Sequence, residues 1–314
     1  MKTWLKTALI SGVLCCAVGA VLTAAGMLTG GKQYVQAADI NTLRGDARKA
    51  DSDSLAVLDK QKISGVQALE LALDNLDLKI VPSDDDCCYL SYRIAATGGE
   101  APLTYTVQNG TLHLKENDAV QPQVHIDVDF LTDFLTLGRL PEDDDTPTVI
   151  LSVPKSQLKQ LDIRSSYGDI SMRGISAARG SIRCDNGDIS LNNCQLSQFT
   201  LNNDYGDIDL ERCTLDTAAV QLSNGEFDAQ ETVFSGENSI TSSYGDVSVS
   251  DTLANLQALT IQASTAYGEI SVPDELRAQI RQSTDDDLTD YCHSGTGGSL
   301  RVQADNGDIE LSDD

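Results

Sequence analysis

The sequence is short of the residues on which most enzyme chemistry relies. Of 314 residues only 5% are aromatic, and the single Trp, Trp4, stands near the N-terminus. Glycan-processing sites generally use aromatic platforms, so that class starts with little support. His113, His125 and His293 form no H-E-x-x-H or other ligand spacing, and the eight cysteines include no C-x-x-C pair, which argues against zinc. No G-x-S-x-G elbow occurs. Residues 26–32 imitate a phosphate-binding loop, but Gln33 stands where Ser or Thr is required. No residue is nominated as catalytic or cofactor-binding, and the expectation is a protein that is not an enzyme. Basic residues are also scarce: 22 Lys and Arg face 48 Asp and Glu, a net charge of −26, and every acidic residue lies beyond Ala38. Such a surface repels phosphate backbones and excludes nucleic acid, leaving cations and basic partners as complementary ligands. The bland alternative is a charge excess that only keeps the protein soluble.

Charge is missing altogether from residues 7–31, a stretch rich in Leu, Val, Ala and Gly. As a helix it would extend roughly 37 Å, enough to cross a bilayer. Lys2 and Lys6 precede it, which places residues 1–6 in the cytoplasm and the bulk of the chain outside, in a single-pass cell-membrane topology. Val35-Gln36-Ala37 offers the small residues of a cleavage site, the alternative in which the chain is secreted. Ala8, Gly12, Cys16, Ala20 and Ala24 would share one helix face, an arrangement that admits a homo-oligomer through paired spans. Residues 32–64 are polar and suit a spacer, part of it helical.

The decisive pattern is a phrase of Tyr or Asn, Gly, Asp or Glu, then an apolar residue, repeated at Gly168, Gly187, Gly206, Gly225, Gly245, Gly268 and Gly307. The first gaps are 19 residues each, and the last, 39, is about two periods, as though one coil had lost its signature beside Asp285, Asp286 and Asp287. Around each glycine, apolar and polar residues alternate, as with Leu201, Ile208 and Leu210 in the third copy. Alternation means half-buried strands, and a fixed period near 20 residues means stacked coils. The expected fold is therefore all-β: a single-stranded β-solenoid of 19–20 residues per coil over 156–314, with an N-terminal transmembrane helix. The rival is a sandwich of hairpins, which Asn-Gly also favours. Residues 65–155 read as a β-rich cap region with strands at 69–73, 76–81, 89–94, 103–108, 111–115, 124–129 and 149–153, and Asn109-Gly110 as a hairpin turn.

Stacking would place Asp169, Asp188, Asp207, Glu226 and Asp246 in one column about 4.8 Å apart. Like charges at that distance repel, so either each carboxylate accepts backbone N–H bonds at its own corner or a cation such as calcium neutralises them. Asp169, Asp188, Asp207 and Asp246 are the metal candidates in that second reading. Tyr167, Tyr205, Tyr244 and Tyr267 are expected to pack at the corners, the alternative being a weak stacking ladder. Cys194 and Cys213 each follow their glycine by seven residues and would be stacked neighbours, either joined in a disulfide or buried as free thiols.

With the N-terminal span, Leu151-Ser152-Val153-Pro154, Leu161-Asp162-Ile163 and the Gly-Asp-Ile repeats together, the chain resembles a bacterial family labelled "putative adhesin", which began as a domain of unknown function. That resemblance implies a β-solenoid at the cell envelope, often linked to envelope stress in Gram-positive bacteria, and brings no catalytic residues. The expected function is a non-enzymatic envelope protein for adhesion, binding or scaffolding, meeting a partner protein, a wall component or a cationic molecule. An accessory or sensor component of an envelope-stress response is the second reading, and a polysaccharide-active enzyme the remote third.

Overall fold

The computed structural model describes residues 55–95, 101–117, 148–282 and 289–313. The expected span at 7–31, most of the spacer, the 124–129 strand with His125, and the acidic runs near 143–145 and 285–287 lie outside these residues. Among the described residues no helix is long and apolar enough to cross a membrane. From Ala56 onward they fall within one compact unit.

The coil that follows Gly206 shows how the sequence builds the fold. Ile208–Glu211 alternates inward and outward, so Ile208 and Leu210 are buried while Asp207 and Asp209 meet solvent. Its two neighbours pair with it in parallel, Ile189 and Phe227 flanking Ile208 in register. Arg212, with φ +52°, then turns the chain into the segment that begins Thr214–Asn224. Thr217, with φ +60°, bends that long strand again before it runs up to Asn224 and the next glycine. Each turn of the chain thus has three bends. Stacking turns in register lets the inward residues of one coil lie on those of the next, giving apolar columns such as Ile170, Ile189, Ile208, Phe227, Val247 and Ile309. All six are buried. The fold is all-β, and its glycines are aligned along one edge rather than placed at hairpin tips.

Outward columns carry no such reward. Asp209 and Asp228 stand side by side on adjacent strands, where a serine, Ser190, occupies the preceding coil. Desolvation against the sheet, and then the neighbouring charges of Asp207, Asp228, Asp188 and Glu226, raise the Asp209 pKa above the usual carboxylate value. A carboxyl with a raised pKa binds its proton more readily folded than unfolded, so its ionisation opposes folding as pH rises through that value. Asp209→Asn is expected to stabilise the protein by a few tenths of a kcal/mol at pH 7. That gain should vanish below the ordinary aspartate pKa, which urea midpoints at pH 7 and pH 3 will check.

The order of coils departs from the order of the sequence. Ser299–Asn306 pairs in parallel with both Glu237–Tyr244 and Thr260–Tyr267. Likewise Ile309–Asp313 lies between Val247–Asp251 and Ile270–Ser271. The last coil of the chain is therefore inserted between the two that precede it. This corrects the reading of the long final gap as a coil with a lost signature. Those residues instead form a 3-10 turn, Asp274–Gln279, and the strands Ile280–Gln282 and Thr289–His293, which pair antiparallel and cover the outer edge of Thr260–Tyr267.

The opposite end is interleaved in the same way. Ala68–Leu73 and Asp77–Pro82 make a coil directly beneath Gln160–Tyr167 and Ile170–Arg173. Its other neighbours are Thr111–Glu116 and Thr148–Val153, both parallel to it. Leu103–Gln108 and Thr111–Glu116 form the expected hairpin, with Asn109 and Gly110 at φ +51° and +81°. Leu55–Ile63 is a strand, so the far end of the expected spacer belongs to the β structure.

Candidate binding edge

Each corner glycine faces the glycine of the coil below, except Gly168, which faces Leu76. A Cβ added to Gly206 would lie 2.3 Å from the Gly187 carbonyl oxygen, and one on Gly225 only 2.0 Å from that of Gly206. The same clash recurs through Gly245, Gly307 and Gly268, so all seven glycines form one column. Four of them, Gly187, Gly206, Gly225 and Gly245, have φ between +129° and +143°. Beneath the corner, the residue three before the glycine is buried, and at four of the seven corners it is polar: Ser165, Asn203, Ser242 and Thr265. Ser165 and Ser242 donate to the carbonyl of their own corner glycine, whereas Asn203 and Thr265 donate to those of Gly187 and Gly307 in the adjacent coil. These residues break the apolar alternation because their task is to satisfy a carbonyl inside the core.

Next to the glycines run the carboxylates. The column contains the expected Asp169, Asp188, Asp207, Glu226 and Asp246, and adds Asp77 below with Asp308 and Glu269 above. The bonding differs from the expectation: each aspartate of the column serves the neighbouring coil and not its own corner. Asp188 N–H donates to Asp169 Oδ1 at 2.9 Å, Asp207 N–H to Asp188 Oδ1 at 2.9 Å, and Glu226 N–H to Asp207 Oδ1 at 2.8 Å. Asp77, Asp246 and Asp308 accept from Asp169, Asp308 and Glu269 in the same way. A carboxylate reaching along the stack replaces repulsion with charge-assisted hydrogen bonds and ties coil to coil. Among the described residues no group of three or more His, Cys, Asp or Glu is arranged to hold a metal.

Among the described residues one rung is absent, that from Asp246 N–H to Glu226, the position where the run of aspartates is interrupted by a side chain one methylene longer. Glu226→Asp is expected to complete the ladder and stabilise the protein by about 1 kcal/mol, read as a higher urea midpoint at unchanged slope.

On the other side of the glycines lie the tyrosines, and they do not pack at the corners. Tyr167, Tyr205, Tyr244 and Tyr267 are 59–71% exposed. The asparagines of the same column are half-buried, and Asn186, Asn224 and Asn306 donate Nδ2 to backbone carbonyls of the adjacent coil at 3.3 Å. Because the last coil is inserted below that of Tyr267, the spatial order is Tyr167, Asn186, Tyr205, Asn224, Tyr244, Asn306, Tyr267. The two types alternate without exception, which the sequence order conceals. Exposed rings therefore recur on every second coil, beside a continuous row of carboxylates.

The remaining candidates are scattered. Cys194 and Cys213 are stacked neighbours as expected, but both thiols are free, and Cys194 N–H donates to Cys213 Sγ at 3.4 Å. Hydrogen bonding with Cys213, and then burial, push the Cys194 thiol up. Burial likewise raises Cys88 to about 12 and Cys184 to about 11, so these are packing residues and poor nucleophiles. His113 pairs with Glu70 at 2.9 Å on a half-exposed strand face, and His293 bonds the Gln257 carbonyl. In the loop of Asp84, Asp85 and Asp86, the Tyr89 hydroxyl and then the Cys87 N–H hold Asp85 below its ordinary pKa.

A family model described as Toastrack DUF4097 matches residues 66–312. No curated protein matches the chain. Among solved structures, similarity is found to a "putative adhesin" from Bacteroides fragilis at 15% identity and a TM-score of 0.46, covering 83% of this chain and 98% of that one. A "putative lipid binding protein" from Parabacteroides distasonis shares 17% identity at a TM-score of 0.40, over 82% and 97% of the two chains. A "putative cell adhesion protein" from Clostridium sporogenes shares 10% identity at a TM-score of 0.28, over 83% and 99%. The model spans the stacked coils from the glycine-free first one to the inserted last one, and the chain belongs to the Toastrack DUF4097 family.

Proposed function

We propose that this protein is a non-enzymatic, extracytoplasmic binding protein of the cell envelope. Residues 7–31 hold it in the membrane, and the tyrosine and carboxylate edge meets a partner. One observation carries this reading: four tyrosines stand exposed in a single line although the interior has apolar columns to receive large side chains. Exposed aromatic rows cost solubility and are a feature of interaction surfaces. The relatives described as adhesion or binding proteins agree with a binding role. Calcium along the carboxylates is the lesser alternative, since one oxygen of most of them is already engaged by a backbone N–H.

The test is cross-linking of the full chain in its own envelope, followed by capture. A defined partner retained by the wild type should be lost when Tyr205 and Tyr244 are both changed to Ala. Retention of every partner by that variant removes the edge from consideration. A histidine kinase or small membrane regulator as the captured species would favour the envelope-stress sensor over the adhesion or scaffold role.

A further inference from the structure

The spacing of the exposed tyrosines selects a class of ligand. Neighbouring strands lie ~4.8 Å apart, so rings on alternate coils recur about every 9.6 Å. Tyr167, Tyr205, Tyr244 and Tyr267 make a series of four with a half-buried asparagine in each notch. Two residues along from Tyr167, Tyr205 and Tyr244 lie Asp169, Asp207 and Asp246, each with Oδ1 spent on the ladder, and two along from Tyr267 lies Glu269. The second oxygen of each aspartate is left to accept from outside.

An extended strand presents the same face every second residue, roughly every 6.7 Å, and falls out of step with the rings at once. Two turns of an α-helix advance about 10.8 Å, which accumulates more than 3 Å of error over the series. A polyproline II helix has three residues per turn and rises ~3.1 Å per residue, about 9.3 Å per turn. It keeps step across four rings to within roughly 1 Å. Such a helix has little conformational entropy left to lose, and its proline rings suit aromatic surfaces. Charge selects further: with 48 acidic residues against 22 basic ones, and a carboxylate row beside the rings, the complementary segment is cationic.

We propose that the tyrosine row binds a basic polyproline II segment of a partner protein, one helical turn for every two coils, with prolines on the rings and Lys or Arg on the carboxylates. This rests on the edge being the binding surface. The probe is a labelled (Pro-Pro-Lys)4 peptide, titrated against the purified full chain in detergent and followed by fluorescence anisotropy. Its control is a peptide of the same composition in scrambled order.

The ordered peptide should bind more tightly than the scrambled one. Changing Tyr205 and Tyr244 together to Ala should weaken it roughly tenfold or more. Asp188→Asn, which keeps an acceptor oxygen for Asp207 N–H while removing the charge, should weaken binding and flatten its salt dependence. Circular dichroism of each variant checks that the coils remain. Equal binding of the two peptides, or indifference to the tyrosine changes, overturns the proposal. So does tighter binding of a neutral chito-oligosaccharide through the same tyrosines. If the peptide fails while the tyrosine variant still loses its cross-linked partner in the envelope, the ligand class falls and the edge stands. If that partner is retained as well, both fall.

Discussion

Gly206→Ala is expected to lower stability by about 4 kcal/mol, combining the penalty for a side chain at φ +129° with that for overpacking. The methyl group would sit 2.3 Å from the Gly187 carbonyl oxygen, which is backbone and cannot swing aside. Relief would require two coils to separate, and separation breaks the ladder bonds on either side of the corner, from Asp207 to Asp188 and from Glu226 to Asp207. Gly65→Ala is the control. Its φ is +75°, yet a Cβ there meets nothing within 4 Å, so only the backbone penalty of about 1–2 kcal/mol applies. Urea unfolding of the two variants separates clash from conformation. A similar loss in both would mean that the coils do not pack as closely as the glycine column requires.

Glu116→Ala should cost about 3 kcal/mol, a large effect for a residue outside the repeat. Glu116 is buried at 2% exposure at the end of Thr111–Glu116. Its Oε2 accepts from Asp74 N–H at 2.7 Å and Asn75 N–H at 2.9 Å, and Oε1 from Asn75 Nδ2 at 3.3 Å. The side chain thus completes the first corner from below, where among the described residues no further Gly-Asp coil does so. Glu116→Gln retains one acceptor oxygen but turns an amide NH2 toward donors, and should fall between wild type and Ala. Hydrogen exchange at the Asp74 and Asn75 amides should quicken in both variants. If it does not, the cap is not what orders this end.

That first coil also marks where the sequence stops being readable. Asn75-Leu76-Asp77-Leu78 occupies the place of Tyr167-Gly168-Asp169-Ile170 in the coil above. It lacks the glycine because no lower glycine carbonyl demands close approach. Asp77 nevertheless starts the ladder by accepting from Asp169 N–H. A search keyed to glycine passes over it, although the Asn and Asp of the phrase are present. Ser165, Asn203 and Thr265 were legible only as interruptions of the alternation. Their role appears once the glycine carbonyls they serve are seen pointing inward.

From the sequence alone came the coil length, the inward columns, the alignment of the glycines and the pairing of Cys194 with Cys213 as neighbours. These follow from local rules, because a side chain's face is set by strand alternation and a fixed period forces like residues onto like positions. Only the tertiary structure decided which coil lies beside which. The insertion of Ser299–Asn306 between Tyr244 and Tyr267 depends on pairing across long stretches of chain, and no local pattern encodes it. The strict alternation of rings and asparagines at this end, and the ladder bonds from Asp308 N–H to Asp246 and from Glu269 N–H to Asp308, follow from that order. There the neighbour in space is 62 or 39 residues away in sequence rather than nineteen.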